Sequence, residues 1–331
     1  MNNPHDALFK TTFSEPEHAA GLLRNRLPAA ISERIDWSSL ERVPGSFVSE
    51  ELSWRYTDLL FRANLSGREA LIYLLIEHQS TSEPLMALRL LGYMARIWEQ
   101  VAKSDENAKT VPAVIPLVLF HGKQPWKAPQ NFLDLIDLGD DTKPSVAPFL
   151  PDFSYLVDDL SGVSDQELRA RAMSHLGALT LLCLKNLPGN PNVVEALHRL
   201  IDLVSEVTSA RSGLKAFEAI LCYTFKVSAP DPRVLRAMLE VELGGQAMEA
   251  YKTTYEKLLE ETRKTVLAEG RAEGRAEGRV EVLRKLLTLK FGPLSLDFEN
   301  RLRNATLAEL DLWTERVLTA TNIQDVFGPT H

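Results

Sequence analysis

Apolar residues fall into three successive patterns along the chain. Over residues 1–27, Leu8, Phe9, Phe13, Leu22, Leu23 and Leu27 recur at helical spacing. Pro4 opens this stretch, Pro28 closes it, and "SEPE" at 14–17 predicts a break within it. Strand-type runs follow. "SFVSEEL" (46–52) is a candidate first strand. "SWRYTDLLFRANL" (53–65) and "ALIYLLIEHQS" (70–80) are rich in aromatic and aliphatic residues, and the short polar "SGRE" between them predicts a hairpin. Ser82 and Pro84 then supply helix-start chemistry before Met86, Leu90, Tyr93, Ile97 and Val101, again at helical spacing. "AVIPLVLF" (113–120) is wholly apolar, as a strand covered on both faces must be.

The order helix, three strands, helix, strand predicts an α/β or α+β domain of roughly 125 residues. "GKQPWKAPQNF" and the acidic stretch to about 164 read as a surface connection. Residues 165–265 are helical in pattern and punctuated by Pro188, Pro191, Pro230 and Pro232. The tandem repeat "AEGRAEGRAEGR" (268–279) and a final helical pair complete the chain. Four regions are expected: a core at 1–130, an acidic connection at 131–164, a helical domain at 165–265, and a repeat helix with C-terminal helices at 266–331.

Composition changes this picture little: 45% of residues are hydrophobic and 25% charged, ordinary globular usage. The longest apolar stretch, "VPAVIPLVLF", is about half of what a membrane-spanning helix needs. The first residues do not follow a signal-peptide pattern, so a cytoplasmic location is expected, with no membrane. Cys183 and Cys222 are the only cysteines and form no CxxC metal spacing. Net charge is −8, but the stretch 131–160 alone holds seven acids against one base. The N-terminal region is nearly neutral, so composition does not exclude a local basic groove for nucleic acid.

The hairpin carries the most specific chemistry. Asp58 lies on its first strand, while Glu77 and Gln79 on the second are two apart and share a face. A loop centred on Gly67 and Arg68 pairs positions whose numbers add to 135, which sets Asp58 opposite Glu77 with Cβ atoms about 4.5–5.5 Å apart. Two carboxylates so placed destabilise the pair unless something compensates. A divalent cation does so: hard oxygen ligands suit Mg²⁺ or Mn²⁺, which polarise a phosphodiester and acidify a bound water. A turn toward solvent, or an ion pair with Arg55 or Arg62, answers the same problem. A register slip of one residue removes the opposition altogether.

"PHDALFK" (4–10), "SFVSEEL", "YTDLLF" (56–61), "LIEHQS" (75–80), "MALRLLGYMARIW" (86–98) and "IPLVLFHGKQPW" (115–126), in this order, resemble the Rpn family. These are recombination-promoting nucleases, also labelled transposases and placed in the PD-(D/E)XK superfamily. The resemblance is strong over about residues 3–130 and weak beyond. It implies a restriction-endonuclease-like core with a mixed sheet flanked by helices, here followed by an all-α C-terminal region. It also implies a metal-dependent DNA endonuclease linked to recombination or mobile elements. Asp58 matches the first acid of the family motif and Glu77 the second. Gln79 stands where the superfamily usually has Lys, and a neutral amide can only orient an attacking water by hydrogen bonds. The implied Mg²⁺ or Mn²⁺ ligands are Asp58, Glu77 and the backbone carbonyl of His78, with Asp6, Glu50 or Glu51 completing the shell. The alternative keeps the nuclease fold without cutting, as a catalytically inactive oligomeric interaction or nucleic-acid-binding protein, and Gln79 is its warning sign.

The remaining candidates are weaker. Arg89 and Arg96, seven apart on one predicted helix, could follow a phosphate backbone, and His121 and Lys123 after the last core strand could touch DNA. Each also reads as an ordinary turn or surface residue. Trp98 and Trp126 read as packing residues. In the repeat, Glu269, Glu273 and Glu277 form one helical row and Arg271, Arg275 and Arg279 another. Gly270, Gly274 and Gly278 each cost about 1 kcal/mol relative to Ala in a helix. Such a helix is stable when a second element packs along its small-residue side, so 268–279 is a candidate homo-oligomerisation helix, with a solvated linker as the other reading.

Overall fold

A computed structural model describes residues 3–43, 59–77, 83–105, 107–139, 141–210, 213–292 and 294–328. The chain divides into two compact units, Met1–Tyr255 and Glu256–His331.

In the first unit, helix α1 (Pro4–Phe13) is capped by Asn3, whose side chain accepts the His5 peptide N–H at 3.0 Å. Helix α2 (Pro16–Arg26) begins at the predicted break, because Pro16 can only open a helix. Both turn Leu8, Phe9, Phe13, Leu22 and Leu23 into the core.

Five strands form one sheet in sequence order: β1 (Ile35–Arg42), β2 (Leu59–Leu65), β3 (Arg68–Glu77), β4 (Ala113–Phe120) and β5 (Leu156–Asp159). β1, β2 and β3 are antiparallel neighbours, whereas β4 runs parallel to β3 and β5 parallel to β4. Two of these strands differ from the sequence expectation. β1 precedes the predicted "SFVSEEL", which lies outside the described residues. β5 comes from the stretch read as an acidic surface connection.

The predicted hairpin is present, with a different register. Its paired numbers add to 133, from Leu59↔Leu74 to Leu65↔Arg68. The turn is therefore Ser66–Gly67, not Gly67–Arg68. Both turn residues have positive φ, 51° and 81°, as a two-residue hairpin loop of the type I′ family requires. The Asn64 side chain fixes the turn by accepting the Gly67 N–H at 2.7 Å. Direct opposition of positions 58 and 77 does not continue this register, and Asp58 itself lies outside the described residues.

Helix α3 (Met86–Ser104) makes the crossover that parallel β3 and β4 demand. The sheet alternates as a two-faced sheet must. Leu60, Leu71 and Val118 pack with Met86, Leu90, Tyr93 and Ile97 of α3 and with Phe132 and Tyr155. Leu59, Phe61, Ala63, Ile72, Leu117 and Leu119 face the other way, into a core shared with α1 and α2. Leu117 to Phe120 are fully buried, as the apolar run predicts. Pro116 is tolerated within β4 because pairing with β5 begins only at Leu117.

The helices after β5 are α4 (Asp165–Ala170), α5 (His175–Asn186), α6 (Val193–His198), α7 (Ile201–Ser209), α8 (Gly213–Val227) and α9 (Pro232–Leu243). They join the core of α1 and α2 through Leu179, Leu182, Cys183, Val204, Phe217 and Leu221. A buried hydrogen bond, Thr12 Oγ1 to Thr180 Oγ1 at 2.8 Å, ties α1 to α5. At Gly21 a Cβ would lie 2.6 Å from that of Met173, so α2 approaches this chain segment as only glycine allows.

Helix α10 (Gly245–Phe291) contains the whole repeat, so 268–279 is helical. In the second unit Leu283 and Leu287 pack with Leu302, Leu310, Trp313, Val317 and Phe327 of α11 (Leu296–Arg303), α12 (Leu307–Thr319) and α13 (Ile323–Phe327). Arg279, the last repeat residue, pairs with Asp311 of α12 at 2.9 Å. Among the described residues no helix is long and apolar enough to cross a membrane.

Candidate nucleic-acid interface

Parallel strands bring their carboxyl ends to one edge, and ligands of α/β sheets bind in the crevice outside that edge. Here β3 ends at Glu77, paired with Phe120 at the end of β4. His121 follows at once. The start of α1 comes to the same place: the His5 ring lies 4.7 Å from the His121 ring, centroid to centroid, tilted by 48°. Asp6 is the next residue of α1 and sits in its first turn, where a carboxylate suits the helix dipole. Oδ1 of Asp6 and Nε2 of His121 are both closed off from solvent.

A third element completes the cluster. Tyr223 of α8 places its hydroxyl 2.9 Å from His5 Nδ1 and its ring edge-on to the imidazole, 5.6 Å away at 69°. Burial pushes the Tyr223 phenol far above its usual ionisation range, with the neighbouring Cys183 adding to the shift, so it stays neutral.

The loop after β4 is held from two sides. Gly122 lies against the Phe120 ring, where a Cβ would approach to 2.2 Å. Asp159, the last residue of β5, accepts the Trp126 peptide N–H at 2.7 Å and that of Ser161 at 2.9 Å. Trp126 itself packs edge-on against Phe120 and Tyr155. This loop leaves Lys123 exposed beside His121.

β5 is fastened by its own charge. Asp158 is fully buried, and Arg171 meets it through two hydrogen bonds of 2.7 and 2.9 Å. Arg26 of α2 lies 3.4 Å away and donates to the Val157 carbonyl at 2.8 Å. The acidic stretch thus contributes a buried ion triad and a loop anchor to the sheet.

The sequence-predicted residues divide accordingly. The N-terminus of α1, with Asp6, and the end of β4, with His121 and Lys123, come together beside the end of β3. Arg89 and Arg96 lie on α3; Arg96 is exposed, while Arg89 is half-buried, with Nε 3.3 Å from the Tyr93 hydroxyl. Arg62, one of the cations weighed against the carboxylates, lies 3.4 Å from Glu41. Asp58, His78, Gln79, Glu50 and Glu51 lie outside the described residues, and Glu77 is placed by its backbone alone. Among the described residues no group of three His, Cys, Asp or Glu side chains is placed to hold a metal ion. Sequence reasoning missed Tyr223 and Asp159. The one signal for Tyr223 was a phenol inside the apolar run "ILCYTF", where a buried hydroxyl needs a partner.

The chain matches the family model described as "Putative transposase, YhgA-like" over residues 3–215. It is similar to the inactive recombination-promoting nuclease-like protein RpnE of Escherichia coli (strain K12), 33% identical over 168 residues, which is 50% of this chain and 54% of that protein. It is similar to recombination-promoting nuclease RpnA of the same strain, 32% identical over 168 residues, 50% of this chain and 55% of that protein. Recombination-promoting nuclease RpnC of that strain is 24% identical over 246 residues, 74% of this chain and 78% of that protein. The chain spans about half the length of the first two of these relatives. No solved structure matches it.

Proposed function

From the premise that this chain belongs to the YhgA-like transposase family, among the recombination-promoting nucleases, we propose that it is a DNA-binding protein that retains the nuclease fold without retaining efficient cutting. The observation that carries DNA engagement is the convergence of three elements at the carboxyl edge of β3 and β4. There α1 brings His5 onto His121, and the loop pinned by Asp159 exposes Lys123. An exposed ammonium beside two imidazole rings suits phosphate oxygens, whose contacts supply most non-specific affinity. Loss of cutting is supported by Gln79 in the usual lysine position and by relatives whose names call them inactive. The repeat helix at 268–279 serves homo-oligomerisation in this reading.

A second reading is favoured by the position of Glu77 as the last residue of β3, at the same edge. In it the chain is a metal-dependent DNA endonuclease. Asp58, Glu77 and the His78 carbonyl would hold Mg²⁺ or Mn²⁺, with Asp6, Glu50 or Glu51 as further ligand, and Gln79 would orient water. The ion would supply Lewis-acid polarisation of the phosphodiester and a more acidic water.

One experiment separates the two. Supercoiled plasmid is incubated with the full chain and Mg²⁺, beside Asp58→Ala and Glu77→Ala. The first reading expects intact plasmid with all three proteins, and a plasmid band retarded by bound protein. Nicking by the wild type that both substitutions abolish establishes the endonuclease instead.

A further inference from the structure

The second unit lies beyond the family match, which ends at residue 215, and it carries a cleft of its own. The space is about 630 Å³, within the range that small-molecule ligands fill and far more than a lone ion needs. Arg301 of α11 and Arg316 of α12 both line it. Arg301 is held in a fixed pose. Its Nη2 donates to the Phe327 carbonyl at 3.0 Å, and the guanidinium lies over the rings of Phe327 and Trp313, 5.0 and 5.8 Å from their centroids. Arg316 is exposed, and its Nη1 comes within 3.3 Å of where a Cβ on Gly328 would stand. A guanidinium presents a planar fork of N–H donors, so both side chains keep donors beyond the one that Phe327 takes.

Two carboxylates, Asp297 and Asp325, line the same cleft, yet among the described residues neither arginine has a carboxylate within ion-pair distance. The carboxylates are answered elsewhere. Asp325 accepts from the Thr321 hydroxyl at 3.1 Å and from the Asn322 N–H at 3.3 Å. Asp297 sits in the first turn of α11, where the helix dipole suits it. Two guanidinium forks in one cleft suit an oxyanion with several acceptor oxygens, and a phosphate monoester has that form. The wall between them is aromatic. Phe298 is half-buried and stacked on Phe327 at 4.8 Å, and it lines the cleft. A planar base stacks on such a ring whatever its sequence.

We propose that this cleft is a nucleotide-binding site. Arg301 and Arg316 take the phosphate, Phe298 takes the base, and Asp297 accepts from base or ribose donors. The site uses no residue of the first unit, so it stands apart from the DNA-binding reading above.

The test is calorimetric titration of the full chain with ribonucleoside 5′-monophosphates. Three comparisons accompany it: the matching nucleosides, which lack the phosphate, O-phosphoserine, which lacks the base, and the charge control Arg303→Ala, an exposed arginine of α11 outside the cleft lining. A nucleotide should bind at least about tenfold more tightly than either fragment, since each supplies one half of the contacts. Arg316→Ala should weaken nucleotide binding by about tenfold to hundredfold, the scale of hydrogen bonds to a charged group. Arg303→Ala should leave it unchanged. Arg316 is exposed, so its loss leaves the fold in place; circular dichroism checks this. Phe298→Leu should narrow the gap between nucleotide and phosphoserine. No heat of binding at millimolar nucleotide overturns the proposal. So does phosphoserine binding as tightly as the nucleotide, which would make this an anion site only. Equal losses from Arg303→Ala and Arg316→Ala would mark general electrostatics and overturn it as well.

Discussion

Replacing Asp158 by Ala removes the anion at the centre of a buried triad. The Asp158 side chain has no exposed surface, and that of Arg171 has 9%. The two guanidinium hydrogen bonds at 2.7 and 2.9 Å both end on this carboxylate. Arg26, a third exposed and bound also to the Val157 carbonyl, can turn its charge to water. Arg171 cannot, so the cost is that of an uncompensated buried charge, about 3–5 kcal/mol. For a unit of this size each kcal/mol lowers the melting temperature by about 2–4 °C, a total of about 6–20 °C. The assay is thermal unfolding followed by circular dichroism, with urea unfolding at 25 °C beside it. The control replaces the pair by an apolar one, Asp158→Leu with Arg171→Met, which should recover most of the loss because both charges go together. A loss below about 1 kcal/mol for Asp158→Ala, the scale of an exposed pair, refutes the buried triad. Because Asp159 beside it anchors the loop carrying Lys123, the same variant should weaken DNA binding.

Three further outcomes are expected. Gly67→Ala forces a side chain into φ of 81° and should cost about 1 kcal/mol by urea unfolding, whereas no loss would contradict the Ser66–Gly67 turn. Burial alone would raise the Asp165 carboxyl, but hydrogen bonds from Lys185 and Asn186 outweigh it and hold it below the ordinary 3.8; Asp202 is held below 3.8 by Arg169. Lowered folded-state values mean that the unfolded chain binds more protons in acid. The stability these groups add is therefore full above about pH 4–5 and fades as pH falls below 3.8; a melting temperature that Lys185→Met lowers at pH 6 no more than at pH 3 would contradict this. Deleting residues 268–279 should reduce the mass found by light scattering, and an unchanged mass removes the oligomerisation role.

The sequence was most legible where one periodicity ruled. The α3 stripe of Met86, Leu90, Tyr93 and Ile97 and the run at 117–120 are buried as their spacing predicts. The hairpin was legible, but its register was not. Gly67 can occupy either place of a two-residue turn, and the choice of Ser66 with it depends on a positive φ at a serine, supported by Asn64. β5 was hidden because Asp158 and Asp159 look like surface charge. Only the tertiary partners Arg26 and Arg171, and the peptide N–H of Trp126, turn those carboxylates into interior groups. β1 was hidden for a related reason: "IDWSSLER" buries only Ile35 and Leu40, so its apolar signal is thin. Of the motif residues, Glu77 ends β3 and His121 follows β4, so the sequence order places both at one edge of the sheet. The meeting of His5 with Tyr223 joins positions 218 apart, and no local pattern encodes such a pair.

The most direct test of DNA engagement at this edge is the salt dependence of duplex binding, followed by fluorescence anisotropy, for the wild type and Lys123→Ala. Lys123 is exposed, so its loss leaves the fold in place. If the loop after β4 lies on phosphate, affinity falls and the slope of log affinity against log salt shrinks by about one. Identical affinity and identical slope in the two proteins would place any bound DNA elsewhere and contradict the interface.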